Sequence, residues 1–294
     1  MRNLDEATVT GFGQEWSEYD QVQLDSQDLQ SIFDSYFRIF PFDELPANPE
    51  GFDLGCGSGR WADLVLAKVG RLHCIDPSEP ALSVARRRLA GRPGAVFHQA
   101  SVDHMPLPDA SQDFGYSLGV LHHVPDTAAA MAACVRKLKP GAPFLVYLYH
   151  SFDNRPFWYR PLWAASDVAR KGISRMPFAL RKTVTSAIAL AVYWPLARLA
   201  KLAERAGTDV THFPLSIYRN RAFYVMRTDA LDRFGTRLEH RFSRAEIAGM
   251  MKVAGLTGIQ FSESEPYWIA VGYRSRPVTK STTAANFPDT TSAE

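Results

Sequence analysis

Cysteine is scarce in this 294-residue chain: Cys56, Cys74 and Cys134 are the only three, and none is in a Cys-x-x-Cys spacing. An odd set of isolated thiols supplies neither a disulfide framework nor a zinc knuckle, so the sequence reads as reduced and cytoplasmic, with no metal site. No apolar run follows the positive charge of Met1-Arg2-Asn3-Leu4, which argues against a secretory signal at this start. The most apolar stretch, 183–197, carries no charge but contains Pro195; at about 15 residues it is shorter than the ~20 needed to cross a bilayer. A net charge of only +2 is too small for a protein that clamps nucleic-acid backbone, and no nucleic-acid partner is expected. No internal repeat is found, and nothing in the sequence sets an oligomeric state.

The charge that is present is unevenly spread. Between Arg155 and Arg205 ten cations stand against two acids, and the remainder of the chain is net acidic. Residues 1–49 read as a helical, aromatic N-terminal segment ending at the prolines from Pro41 to Pro49. From Gly51 short apolar runs alternate with amphipathic ones: Phe52-Asp-Leu, 61–68, Leu72-His-Cys-Ile, 79–89 and Ala95-Val-Phe. That rhythm is βαβαβ. It continues with a strand at Phe114, a helix over 126–138 and a buried strand from Pro143 to Tyr149, completing a core at 50–150 with five parallel strands.

Residues 151–240 break the pattern with aromatics, prolines and basic residues, and read as a helical insertion after the fifth strand. In 241–274 the chain returns to the core: Ser243 and Glu246 form a capping box, and alternating runs at 257–263 and 267–273 predict a closing antiparallel pair. The expected fold is α/β, a Rossmann-like seven-stranded and mostly parallel sheet with an antiparallel last strand. The tail, 275–294, is rich in Ser, Thr and Pro and reads as disordered.

The chemistry concentrates at Asp53-Leu54-Gly55-Cys56-Gly57-Ser58-Gly59, where a strand runs through glycines into a helix. Bare backbone and a helix N-terminus can then approach a ligand closely. A dinucleotide fingerprint would place its third glycine at position 60, which is Arg60, so NAD and an oxidoreductase are the weaker reading. Instead there is an acid before the loop, Asp53, and a second at the end of the next strand, Asp76, followed by Pro77. S-adenosylmethionine carries an ammonium and a sulfonium but no phosphate, and carboxylates suit it: Asp53 for its amino-acid end, Asp76 for the ribose diol.

These residues, with Gln99 to Asp109, Leu121-His-His-Val-Pro-Asp126 and Leu138-Lys-Pro-Gly141, resemble the class I S-adenosylmethionine-dependent methyltransferases, in particular the small-molecule branch with the ubiquinone and menaquinone methylases. The resemblance covers 50–150 closely and 240–274 loosely. It implies a cofactor site of Asp53, Gly55, Cys56, Gly57, Gly59, Asp76, Pro77, Ser101, Val102, Asp103 and Leu118, with Trp16 and Tyr19 on an N-terminal lid. Relatives carry an aspartate for the adenine where this chain has Ser101; Val102 and Asp103 are the neighbours that could share that contact. His123, after the fourth strand, matches a general base of some relatives, and its side chain suits proton transfer near neutrality. The alternative for His122 and His123 is packing or capping of the next helix.

The chain has no Asn/Asp-Pro-Pro-Tyr and no Pro-Cys nucleophile at that place, which disfavours base methylation and leaves a small-molecule acceptor, lipid-like or acidic. Phe157, Trp158, Tyr159, Trp163, Tyr193 and Trp194 are candidates for an apolar pocket, and Tyr218, Arg219 and Arg221 for holding a carboxylate or phosphate. The basic, aromatic stretch 155–205 fits equally a peripheral contact with anionic lipid or an ordinary helical cap. A non-catalytic cofactor-binding or assembly protein is the alternative to an enzyme.

Overall fold

The computed structural model describes residues 3–18 and 26–276; Tyr19 and the tail from 277 onward lie outside the described residues. Along the chain run α1 (Glu6–Glu18), α2 (Ser26–Phe37), β1 (Glu50–Leu54), α3 (Arg60–Val65), β2 (Arg71–Asp76), α4 (Glu79–Arg88), β3 (Ala95–Gln99), β4 (Phe114–Leu118), α5 (Thr127–Lys137) and β5 (Pro143–Tyr147). There follow α6 (Tyr159–Ile173), α7 (Phe178–Ile188), α8 (Trp194–Arg205), α9 (Phe223–Gly235), α10 (Arg244–Val253), β6 (Leu256–Phe261) and β7 (Ile269–Arg274). The seven strands form one sheet in the order β3-β2-β1-β4-β5-β7-β6. The first five are parallel, and β7 runs antiparallel to both β5 and β6.

Alternation along the strands sends side chains to both faces of the sheet. Phe52, Leu54, Phe144 and Val146 pack with Met131 of α5 and Met251 of α10 on one side. Phe114, Tyr116 and Leu145 pack with Trp61 of α3 and Phe33 and Phe37 of α2 on the other. Half of the N-terminal segment, α2, therefore covers the sheet. β1 and β4 are pinned by reciprocal pairs: Gly51 stands opposite Phe114 and Phe52 opposite Gly115, and a Cβ on either glycine would fall 2.3 to 2.4 Å from the facing ring.

Local side-chain caps set three of the helix starts. Ser78 caps α4, Asp126 caps α5 by accepting from the Ala129 N–H at 2.9 Å, and Ser243 and Glu246 make both bonds of the capping box of α10. The helix expected over 61–68 is shorter, ending at Val65.

Residues 151–240 hold α6 to α9, with a small core of their own that includes Tyr193, Ala197, Met226 and Phe234. The 15-residue apolar stretch is not an isolated segment. α7 and α8 join through a π-helical turn, Ala189–Tyr193, into one helix from Phe178 to Arg205. A proline lacks the N–H of a regular helical turn and crowds the carbonyl four residues back; the wider turn just before Pro195 admits it without a break. Among the described residues this 28-residue helix is the one long and apolar enough to cross a membrane, which the 15-residue count had not foreseen.

Candidate active site

The loop after β1 closes on itself through its glycines. Gly55, Gly57 and Gly59 have φ of 76°, 53° and 72°, a region that costs other L-residues roughly 1–2 kcal/mol each. Space is equally restrictive, since a Cβ on Gly55 would lie 2.3 Å from Val120 and one on Gly59 3.1 Å from Ala85. Asp76, at the end of β2, orders the loop: its carboxylate accepts from the Gly57 N–H at 3.0 Å and the Ser78 N–H at 2.8 Å. A carboxylate has about four lone-pair positions, so room remains for two hydroxyls. Burial pushes its pKa up to about 6 against those two bonds.

Asp53 is only 2% exposed, and its Oδ2 makes no hydrogen bond. The Tyr116 hydroxyl lies near enough to lower its pKa somewhat, but burial dominates and raises it to about 8, with Asp76 adding to the rise. A buried acid lacking its partner beside a bare-backbone loop is the arrangement a cationic amino-acid end requires. Cys56 is buried in the same loop with its thiol against Cys74. Arg60, where a dinucleotide site needs glycine, lies 4.2 Å from the centroid of the Trp61 ring.

α1 lies across this loop. Trp16 stands over Gly57, Gly13 packs on Ser78, and Phe12 rests on the His123 ring at 5.0 Å. After β3, Val102 is buried and Ser101 half-buried, whereas Asp103 is exposed and accepts from the Asn3 backbone N–H.

Beside the loop opens a cavity of about 460 Å³. Its floor is Leu118 and Gly119 at the end of β4, with Tyr147 at the end of β5 and Tyr149 beyond it; its walls come from α1, α6, α9 and the π-helical turn. Of the aromatics expected to line it, Tyr159, Trp163 and Tyr193 do so. Phe157, Trp158 and Trp194 point outward, Phe157 being 88% exposed. Tyr218 lines the cavity. Arg219 and Arg221 do not: Arg219 pairs with Glu204 at 2.9 Å and Arg221 with Asp28 at 3.4 Å. Partners from α8 and α2 have already neutralised the two cations expected to hold an anion.

His123 is buried behind this lining and not part of it. Its Nδ1 lies 2.7 Å from the Leu238 carbonyl, which requires the proton on Nδ1 and leaves the lone pair on Nε2, an atom without a partner. Burial lowers its pKa. His122 is fully buried against the Tyr149 ring.

Three acids that the sequence reading did not single out line the cavity: Glu15 on α1 and Asp229 and Asp232 on α9. The three-residue spacing of the aspartates, one helical face, was the available signal.

Residues 52–146 match the family model described as a methyltransferase domain. Over these residues the chain carries an S-adenosylmethionine-dependent methyltransferase domain. It is 35% identical over 107 residues to a ubiquinone biosynthesis O-methyltransferase of Aromatoleum aromaticum, covering 36% of this chain and 44% of that protein. With the corresponding protein of Thiobacillus denitrificans identity is 29% over 157 residues, covering 53% and 66%. The chain thus spans less than two thirds of either relative. The fold of the methyltransferase domain and its additions is shared with DhpI, solved with S-adenosylhomocysteine, at 15% identity and a TM-score of 0.54 over 94% of this chain and 98% of that one. The cofactor of this family is S-adenosylmethionine, and the residues present fit it through the orphaned Asp53 carboxylate and the glycine cradle.

Proposed function

We propose that this protein transfers a methyl group from S-adenosylmethionine to a small-molecule acceptor held in the cavity between the sheet and the insertion. The observation that carries this is continuity: Trp16, which covers Gly57, and Leu118 and Gly119 at the end of β4 line the same cavity as Tyr193 and Tyr218 of the insertion. In-line displacement at a methyl activated by sulfonium needs positioning above all, and a cavity rich in aromatic side chains supplies it. Asp53 would hold the cofactor's ammonium and Asp76 the ribose, with Gly55, Cys56, Gly57, Gly59 and Pro77 shaping the cradle and Ser101 and Val102 the adenine end. Tyr218 serves the acceptor. Proton removal through His123 Nε2 would have to pass the cavity lining, and the acids on the cavity wall are better placed for it. Incubating purified protein with S-adenosylmethionine and candidate acceptors, and following S-adenosylhomocysteine by mass spectrometry, tests the assignment; failure to bind S-adenosylhomocysteine by calorimetry would sink it.

We further propose that the insertion rests on an anionic membrane surface. Leu180, Leu190, Trp194, Leu162 and Val168 are all exposed on α6, α7, α8 and the π-helical turn, among the basic residues of 155–205. An apolar face within a cationic segment is the pattern of interfacial helices. A lipid-like acceptor would reach the cavity from that side.

A further inference from the structure

The cavity has a charge pattern that the methyltransferase reading does not explain. Four arginines line it, and three are held by acids or carbonyls. Arg233 and Arg241 both bond Glu239 at 2.8 Å, and Arg155 pairs with Glu265. The fourth, Arg60, lies over Trp61 and acts favourably on Glu15 and Asp229. The acids on the wall are not matched in the same way. Asp232 accepts from the Tyr149 hydroxyl at 2.7 Å, and Asp229 is bonded by Tyr218. Glu15 is only 4% exposed. Arg181 and Arg60 act favourably on Glu15, and Arg60 and Arg221 on Asp229, but less than burial raises either acid.

Three carboxylates converging on one buried wall repel one another, and burial disfavours their charged forms. Burial and the two neighbouring aspartates push the Glu15 carboxyl well up, and burial takes Asp229 up to about 6. Aromatic side chains contribute much of the remaining wall, among them Trp16, Tyr36, Tyr147, Tyr149 and Tyr193. Ring faces attract cations by about 0.5–2 kcal/mol each, more where water is excluded. Acids and ring faces together select positive charge.

Building on the methyl-transfer reading above, we propose that the acceptor is an amine bound as its ammonium, with Glu15, Asp229 and Asp232 as counter-ion and the tyrosines and Trp16 as the surrounding cage. This replaces the acidic acceptor expected from Arg219 and Arg221. The same acids dispose of the proton that an ammonium must lose before it can react. One proton passes from nitrogen to a carboxylate oxygen, the freed lone pair forms the N–C bond to the methyl, and the C–S electron pair stays on sulfur. A carboxyl raised toward neutrality suits that role.

The test is calorimetry on the full chain, with and without S-adenosylhomocysteine, using phenethylamine and 3-phenylpropionate, which share ring and reach but carry opposite charge. The expected result is ammonium binding at least about tenfold tighter than carboxylate binding. An Asp229→Asn/Asp232→Asn variant should abolish the preference while keeping affinity for S-adenosylhomocysteine within about threefold. Glu15→Gln, alone, should reduce the preference in the same direction and serves if the double variant does not fold. Equal binding of the two probes, no saturable ammonium binding, or a preference that survives the substitutions overturns the proposal. So does a tenfold loss of S-adenosylhomocysteine affinity in these variants, because the acids would then belong to the cofactor. Failure of the wild-type protein to bind S-adenosylhomocysteine while the ammonium preference stands would instead remove only the methyl-transfer reading.

Discussion

The indole of Trp16 faces Gly57 so closely that a Cβ on the glycine would sit 3.0 Å from Trp16 Nε1. The lid helix and the cofactor loop are therefore fitted to each other, and their energies should couple. Gly57→Ala adds left-handed strain of roughly 1–2 kcal/mol and a contact with the indole. Trp16→Ala removes the contact alone. In a double-mutant cycle by urea unfolding, the pair should show a coupling of about 0.5–3 kcal/mol, with Gly57→Ala less harmful when Trp16 is already absent. Strict additivity would mean that α1 does not pack on the loop in solution.

Asp53 gives the cofactor-free protein a characteristic pH dependence. Its pKa is about 8 in the folded chain and ~3.9 when unfolded. Below pH 4 the carboxyl is protonated in both states and costs nothing. As pH rises from there toward 8 the unfolded chain releases its proton and the folded one does not, so the folded state loses stability across that window. Asp76, raised to about 6, adds in the same sense up to pH 6. Asp53→Asn should stabilise the empty protein by at least about 1 kcal/mol at pH 8 and by nothing at pH 4, while weakening S-adenosylhomocysteine binding about tenfold or more. Thermal melts at the two pH values and calorimetry measure both. Wild-type binding near pH 7 should release a proton, since a bound ammonium favours the ionised acid; an enthalpy independent of buffer would contradict this.

His123 separates chemistry from architecture. Its Nδ1–H holds the Leu238 carbonyl and its ring carries Phe12 of the lid. We expect His123→Gln to lower Tm by about 2–4 °C per kcal/mol lost and to leave turnover at saturating acceptor within about threefold. A drop of a hundredfold in turnover with an unchanged melt would make Nε2 the general base after all.

The core was legible because its signals are local. Phe52-Asp-Leu, Phe114-Gly-Tyr and Pro143-Phe-Leu-Val announce strands by their own composition, the glycine loop announces its turn, and Ser243 with Glu246 announces a helix start within four residues. The insertion was not, because its outcome depends on partners far along the chain. Arg221 is satisfied by Asp28 and Arg219 by Glu204, pairings that no window of sequence displays. Trp163 and Trp158 have similar composition around them, yet one faces the cavity and the other solvent; α6 packing decides which. Glu15 acquires meaning only when α1 meets α9.

The exposed face of the insertion makes a prediction independent of catalysis. Leu190 at 61% exposure and Trp194 at 44% lie on the outer side of the helix whose inner side buries Ala189, Tyr193 and Ala197. A bilayer covering Leu190 and Trp194 would remove apolar surface from water at about 25 cal/mol per Å², and nearby Lys201 would add ~1 kcal/mol on anionic lipid. Sedimentation with vesicles of phosphatidylglycerol and phosphatidylcholine should therefore bring the protein down at low salt, with weaker binding at 0.5 M salt and on purely zwitterionic vesicles. Leu190→Glu/Trp194→Glu should abolish sedimentation at every salt concentration and leave S-adenosylhomocysteine affinity unchanged. Binding that survives the double substitution would place any membrane contact on another surface, and no binding by the wild-type protein at low salt would leave the apolar face to a different partner.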